Sequence, residues 1–489
     1  MSARTRSARG SRSTRNARGS RGSHGAQGGL PFLRPRFSPV VHALLRTVSP
    51  LYLRFGEGIA AVRLRGADTL VSEMKRFEAG ESRLIIAFRH PSVSDGPLLG
   101  HAISRLLPRE ARRAGCTAHA VRGRRLRGRR HVHFVYGREV PVWAGRALEW
   151  ILPRVGAVPV NNGRLDSQGL AALRELALNG RFPLALAPEG QVTYHNAAVG
   201  ELEAGTGRIA LWCRDDLRSL GRDEEVRVLP VGITYRYPQE GRPAIRRAVR
   251  WVAERTGLEL DLDVDLEGGP EAVRAALLEL TDRLLALLEA AYGLPRESAG
   301  NPVPVPVTRR RIETLCDAVL QAGEAVHGLP AEGSFLSRVF RLREAGRRRI
   351  FRDDLALLSS SERAAADAAA DEARRAARHM ELADVLEYVD PGYIGPGASF
   401  GRLAEYAMNL QDITNRFHGG TIAARMKVPG RTATVSVGVP ISAARTRGDG
   451  SGARQGDPRG PREGGGRAEA ARINKHVAAE LARLAAGAD

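Results

Sequence analysis

Four short apolar runs constrain this chain more than any other feature, because each is followed by turn residues and then by a helical pattern. They are Leu84 to Phe88, Val155 to Val160, Phe182 to Ala187 and Val228 to Ile233. Each has the length of a buried strand, and none reaches the length of a core helix. Pro97 to Leu107, Ala147 to Leu152, Gln168 to Leu178, Gly207 to Asp216 and Glu271 to Tyr292 read as helices between or after them. Strands alternating with helices predict an α/β fold with a mixed sheet covered by helices.

In such folds the loops at the carboxyl ends of strands carry the chemistry. The first run ends in Arg89-His90-Pro91-Ser92-Val93-Ser94-Asp95. An imidazole held by a carboxylate is a ready general base for a hydroxyl. Asp95 also stands where a helix N-cap would stand. The His-x4-Asp spacing recurs at His379 and Asp384, inside an Ala- and Arg-rich helical stretch. Five positions along a helix are about 140° apart around its axis, so that second pair is expected to diverge.

Three further blocks follow in order. Gly156-Ala157-Val158-Pro159-Val160 leads into Asn161, Asn162 and Arg164. The Phe182 run ends in Pro188-Glu189-Gly190. Leu229-Pro230-Val231 lies in the fourth run. With the His90–Asp95 block first, this order resembles the glycerolipid acyltransferases, the lysophosphatidic acid acyltransferases and their relatives, over about residues 62 to 236. The resemblance implies a glycerolipid acyltransferase-like α/β domain. It implies transfer of a fatty acyl group from a thioester, acyl-CoA or acyl-carrier protein, to a hydroxyl of a lysophospholipid or related glycerolipid. His90 and Asp95 would be catalytic, and Glu189 and Gly190 would bind substrate. No metal and no cofactor beyond the thioester co-substrate is implied.

The chain departs from that family at two places. Asn162 stands where relatives carry an Arg, and Gln191-Val192 stands where they carry Thr-Arg. The family associates these positions with the acceptor's phosphate. Asn162 with Arg164 is the expected replacement, with Arg138 or Arg146 as other sources of a guanidinium. The alternatives are an acceptor without a terminal phosphate monoester, or a catalytically inactive basic protein that binds membrane surfaces.

The net charge of +21 favours anionic partners, above all a membrane surface. Of 75 basic residues only Lys75, Lys427 and Lys475 are lysines. So pervasive a use of Arg reads as a compositional bias, and no single Arg can be picked out by type. Aromatic residues are only 5% of the chain, too sparse for base-stacking platforms, so no specific nucleic-acid partner is expected. Cys116, Cys213 and Cys316 form no paired-thiol motif, which argues against a disulfide framework. No run supplies the ~20 apolar residues of a spanning helix. The expected location is cytoplasmic, peripheral on the inner face of the cell membrane.

The chain divides by composition. Residues 1–36 read as a disordered basic tail. Residues 37–60 read as an amphipathic membrane-facing segment, a short helical pair broken at Pro50. Residues 61–294 would form the α/β domain and 295–307 an extended Pro-rich linker. Residues 308–446 read as mainly helical, with one alternating strand pattern at Thr432 to Val437. Residues 447–467 read as a disordered Gly/Arg-rich linker and 468–489 as a C-terminal helix. His195 is expected to be an exposed loop histidine.

Overall fold

The computed structural model describes residues 25–113, 130–161, 166–258, 268–296, 303–444 and 463–487. The calls on residues 1–24, 297–302 and 445–462 lie outside these.

Ten strands are present among the described residues: β1 (Gln27–Gly28), β2 (Ile59–Arg65), β3 (Ser82–Phe88), β4 (His133–Gly137), β5 (Val158–Val160), β6 (Leu184–Leu186), β7 (Glu225–Arg236), β8 (Phe351–Arg352), β9 (Arg431–Val437) and β10 (Ile441–Ser442). Eight form one mixed sheet in the order β2-β9-β7-β3-β6-β4-β5, with β10 beside β7. The central β3 runs parallel to β6 and β7, while β7 and β9 are antiparallel. The α/β expectation therefore holds, with the sheet mixed.

β3 is buried on both faces, which explains its unbroken apolar run. Leu84, Ile86 and Phe88 pack against Leu70, Met74 and Leu98 from the Ala67–Glu78 and Asp95–His101 helices. Ile85 and Ala87 belong to the opposite core, with Leu173, Ala210 and Val477 from the Ser167–Asn179, Gly205–Ser219 and Glu463–Ala485 helices. A third apolar cluster lies among long helices, including Arg242–Thr256, Pro270–Ala291, Val305–His327, Ser360–Leu386 and Phe400–Phe417. Pro230 is tolerated inside β7 because it falls between two partners: β10 pairs with Arg227–Val228 and β9 pairs from Val231 onward.

Several sequence boundaries move. The sheet is not confined to residues 61–294, because β9 inserts between β2 and β7, with Arg63 opposite Thr434 and Thr234 opposite the same residue. The residues after the linker thus complete the sheet as well as supplying helices. The described part of the basic tail is not free: Gly25 and Ala26 donate their N–H groups to Asp371 and Asp367, and β1 pairs with β8. The Pro-rich linker is cut short, since a helix begins at Val305 behind Pro304. Pro50 does not break the first helix. Pro39–Leu51 runs on into a π-turn over Tyr52–Gly56, and the Arg46 carbonyl that Pro50 leaves without an N–H accepts from Ser49 Oγ at 3.0 Å and from Arg105 at 3.2 Å.

Candidate active site

β3 ends at Phe88, and the chain turns through His90 to Ser94 before the helix that begins at Asp95. His90 Nδ1 lies 2.9 Å from Asp95 Oδ2. Asp95 Oδ2 also accepts the Ser92 N–H at 2.7 Å, and Oδ1 accepts the Tyr235 hydroxyl. The carboxylate is fully buried and engaged by three donors, so it fixes Nδ1–H as the donor of the imidazole. Nε2 is left with its lone pair and no partner among the described residues, on a side chain that is 23% exposed. The carboxylate does not cap the helix; it folds back onto the loop before it.

The turn is held from below by Arg89, a fully buried side chain. Its guanidinium donates to the carbonyls of Asn196 (2.6 Å), His195 (2.9 Å) and Ala198, and approaches Glu189 Oε1 at 3.4 Å. Glu189 Oε2 accepts the His90 backbone N–H at 2.7 Å. The His90 carbonyl accepts from the Thr193 N–H at 2.9 Å. The Pro-Glu-Gly block and the His-x4-Asp block are therefore one hydrogen-bonded unit. The sequence reading gave Glu189 a substrate-binding role; in the structure its carboxylate is buried and bonded to Arg89 and the His90 N–H, so it positions the His90 turn. Gly190 serves the turn as well: its φ is +72°, and a Cβ there would meet Glu203 Cγ at 3.0 Å.

Tyr235 is itself aligned. Asn196 bonds its backbone in both directions, Nδ2 to the Tyr235 carbonyl at 3.0 Å and Oδ1 from the Tyr235 N–H at 2.9 Å. Asn196 Nδ2 and the Tyr393 hydroxyl both donate to Glu405. Burial outweighs these donors and pushes the Glu405 carboxyl up to about 7. His195 is not an exposed loop histidine. It is buried, stacks on Tyr393 at 4.2 Å and donates Nε2–H to the Tyr388 carbonyl at 2.9 Å. Burial lowers its pKa to about 4. Tyr388 and Tyr393, in the connection between the Ser360–Leu386 and Phe400–Phe417 helices that the sequence assigned to a separate region, cover it.

Glu57 ties a third segment to the site. It accepts from Tyr52 OH at 2.7 Å and Ser94 Oγ at 2.8 Å, and pairs with Lys427 at 3.1 Å. Burial raises its pKa, but these donors outweigh burial and hold it below the ordinary carboxylate range.

Asn162 and Arg164, the expected acceptor ligands, lie outside the described residues. Arg138 faces Asp166 at 3.7 Å and the Phe32 ring at 5.4 Å, and Arg146 is exposed at the start of the Arg146–Arg154 helix. Gln191 donates to the Tyr388 hydroxyl. His379 bonds the Tyr292 hydroxyl at 2.8 Å and does not meet Asp384.

The first helical segment packs on the Asp95–His101 helix and carries exposed apolar side chains. Val40, Leu44, Leu51 and Phe55 are exposed along the first helical segment, as are Trp143 and Trp150 on the adjoining short helices and Val93 in the His90 turn itself. Ser49 bonds His101 at 2.8 Å, and the Ser38 N–H bonds the Arg154 carbonyl at 2.7 Å, so these elements touch one another. Among the described residues no helix is long and apolar enough to cross a membrane, and no three His, Cys, Asp or Glu residues gather to hold a metal ion. No family model matches the chain, and neither a curated protein nor a solved structure matches it.

Proposed function

We propose that the protein is an O-acyltransferase acting at an anionic membrane surface. It moves a fatty acyl group from acyl-CoA or acyl-carrier protein to a hydroxyl of a lysophospholipid or related glycerolipid. His90 Nε2 takes the hydroxyl proton as the oxygen attacks the thioester carbonyl. The tetrahedral adduct then collapses, the C–S bond breaks, and the thiolate leaves with the proton held on the imidazolium. Asp95 stabilises that imidazolium. The observation that carries the reading is the partly exposed imidazole, oriented by a buried carboxylate, with Nε2 unpartnered among the described residues and an exposed Val93 in the same turn.

A membrane location suits a glycerolipid acceptor. An apolar stripe with Arg46 and Arg54 beside it is the composition of an interfacial helix, and basic residues near an anionic leaflet contribute about 1 kcal/mol each. Purified protein is to be assayed on anionic vesicles, with acyl-CoA and acyl-carrier-protein donors and a panel of lysolipids. Acyl incorporation with stoichiometric thiol release, lost in His90→Ala, is expected. Membrane binding with no transfer from any donor to any acceptor would favour an inactive surface-binding protein instead.

A further inference from the structure

The far face of the sheet holds a second feature that the catalytic turn does not use. β2, β9 and β7 lie side by side at one end of the sheet, and their side chains alternate between the two faces. Val62, Leu64, Ala433, Val435, Ile233 and Tyr235 point into the core beneath the His90 turn. The intervening residues point the other way. Arg63 stands opposite Thr434, and Arg65 opposite Ser436. Thr432 stands opposite Arg236, the last residue of β7. Together they line a groove of about 290 Å³. Its end is walled by the C-terminal helix, whose Leu484 packs over Gly232 so closely that a Cβ there would lie 2.7 Å from it. Arg483 on the same helix also faces the groove.

The charges in this groove are not balanced. Among the described residues no acidic side chain lines it. Arg483 is paired with Glu480 at 2.6 Å, but Arg63, Arg65 and Arg236 are exposed and have no partner among the described residues. Arg63 and Arg65 share one face of β2 and Arg236 lies across β9 from them, so three like charges face one groove. Arginines on the edge strand β2 would alone be explained as a guard against edge pairing. Arg236 does not fit that account, because it comes from a strand two places inward and closes the same groove. Hydroxyls of Thr434, Thr432 and Ser436 lie between the guanidiniums, which gives neutral donors among charged ones. Planar guanidiniums with interleaved hydroxyls are the donor set that phosphate oxygens accept from.

We propose that this groove binds a phosphate-bearing small molecule, on the face of the sheet opposite the His90–Asp95 pair. Its volume is near the lower end for small-ligand sites, which suits one or two phosphate groups with a compact organic part. Phosphate is the recognised group, whether it comes from a glycerophosphate headgroup or from the nucleotide end of a thioester donor.

The test is calorimetric titration of the full chain at 0.15 M salt with three probes: inorganic diphosphate, glycerol 3-phosphate, and adenosine 3′,5′-bisphosphate. Binding of at least one probe is expected. Arg63→Ala and Arg236→Ala should each weaken it about tenfold, and Thr434→Val by a smaller factor. His90→Ala should bind as the wild type does, which separates this site from the proposed catalytic one. Preference for glycerol 3-phosphate would identify a headgroup source, and preference for the bisphosphate a nucleotide source. Absence of binding to all three overturns the proposal. So does an equal loss in Arg46→Ala, which would mark a general charge effect, and so does binding unaffected by the groove variants. Because Arg63 and Arg236 are exposed and Thr434 is half-buried with a near-isosteric replacement, unchanged melting of each variant is expected and is to be confirmed in the same samples.

Discussion

His90 and His379 are each followed five residues later by an aspartate, and the two regions use that spacing in opposite ways. At the end of β3 the chain turns back on itself, and His90 Nδ1 lies 2.9 Å from Asp95. In the Ser360–Leu386 helix the same spacing separates the side chains around the axis, and His379 bonds Tyr292 instead. Spacing alone therefore does not bring the two side chains together; the strand-to-helix turn does. The difference extends to the aspartates. Asp95 is buried but served by three donors, whereas Asp384 Oδ1 is buried without a hydrogen-bond partner. Burial raises the Asp384 pKa, the direction expected of a carboxyl that favours its neutral form.

The largest effect that could break this contrast lies at His90. His90→Ala should lower acyl transfer by about 10²- to 10⁴-fold while melting is unchanged, as read from initial rates and a thermal scan. Near-normal turnover would remove the catalytic distinction between the two pairs. Next in size is the support of the turn. Arg89→Met leaves the Glu189 carboxylate and three carbonyls buried without their donor. Removing one partner of such a buried pair should cost roughly 3–5 kcal/mol, measured by denaturant unfolding. A smaller loss would mean that the turn holds its shape without the Arg89 clamp.

A third histidine sharpens the comparison from the side of burial. His131 is packed among Phe37, Phe134 and Phe182, and burial lowers its pKa to about 3. The unfolded chain takes up a proton on this residue below about pH 6.5, and the folded one does not until about pH 3. Stability from this group is thus full above pH 6.5 and is lost as pH falls toward 3. His131→Phe should be less stable than wild type at pH 7, where it leaves the Val155 carbonyl without its donor. That gap should narrow by up to about 1.4 kcal/mol for each pH unit below 6.5. A gap constant with pH would show that His131 titrates normally. Smaller again is Tyr235→Phe, which removes one donor from Asp95. A hydrogen bond to a charged group is worth about 1.5–3 kcal/mol, so transfer should fall roughly tenfold or somewhat more while the protein stays folded. An unchanged rate would show that Ser92 and the helix suffice to hold Asp95.

Much of this arrangement is written locally. β3 and β7 announce themselves as apolar runs because both faces of each are buried over most of their length. The His90–Asp95 contact spans five residues, so spacing and the strand end reveal it together. Arg89 was hidden by composition, since a buried Arg has no mark of its own among 72 arginines. Tyr235, Asn196 and Glu57 were hidden by distance. Tyr235 meets Asp95 across 140 residues, and Asn196 meets Glu405 across 209. The alternating pattern at Thr432 to Val437 was visible, but nothing local says that it slots between β2 and β7. That pairing also explains why the boundary drawn at the Pro-rich linker does not bound the sheet. His195 looked exposed because its covering residues, Tyr388 and Tyr393, lie nearly two hundred positions away.

The smallest expected effect completes the comparison from its other member. His379→Ala removes the ring that accepts or donates to the Tyr292 hydroxyl on a half-buried helix surface. The lost bond should lower stability by about 0.5–1.5 kcal/mol, because a neutral hydrogen bond contributes only that much net of water. Acyl transfer should stay within about twofold of wild type, since this imidazole has no carboxylate to orient it and lies on a different layer of the molecule from β3. Burial lowers the His379 pKa, so the residue is neutral at pH 7 and its removal leaves the charge balance unchanged there. Initial rates and an unfolding curve on the same preparation separate the two quantities. A rate loss approaching that of His90→Ala, without a matching loss of stability, would give the helical pair a chemical role that its geometry does not support.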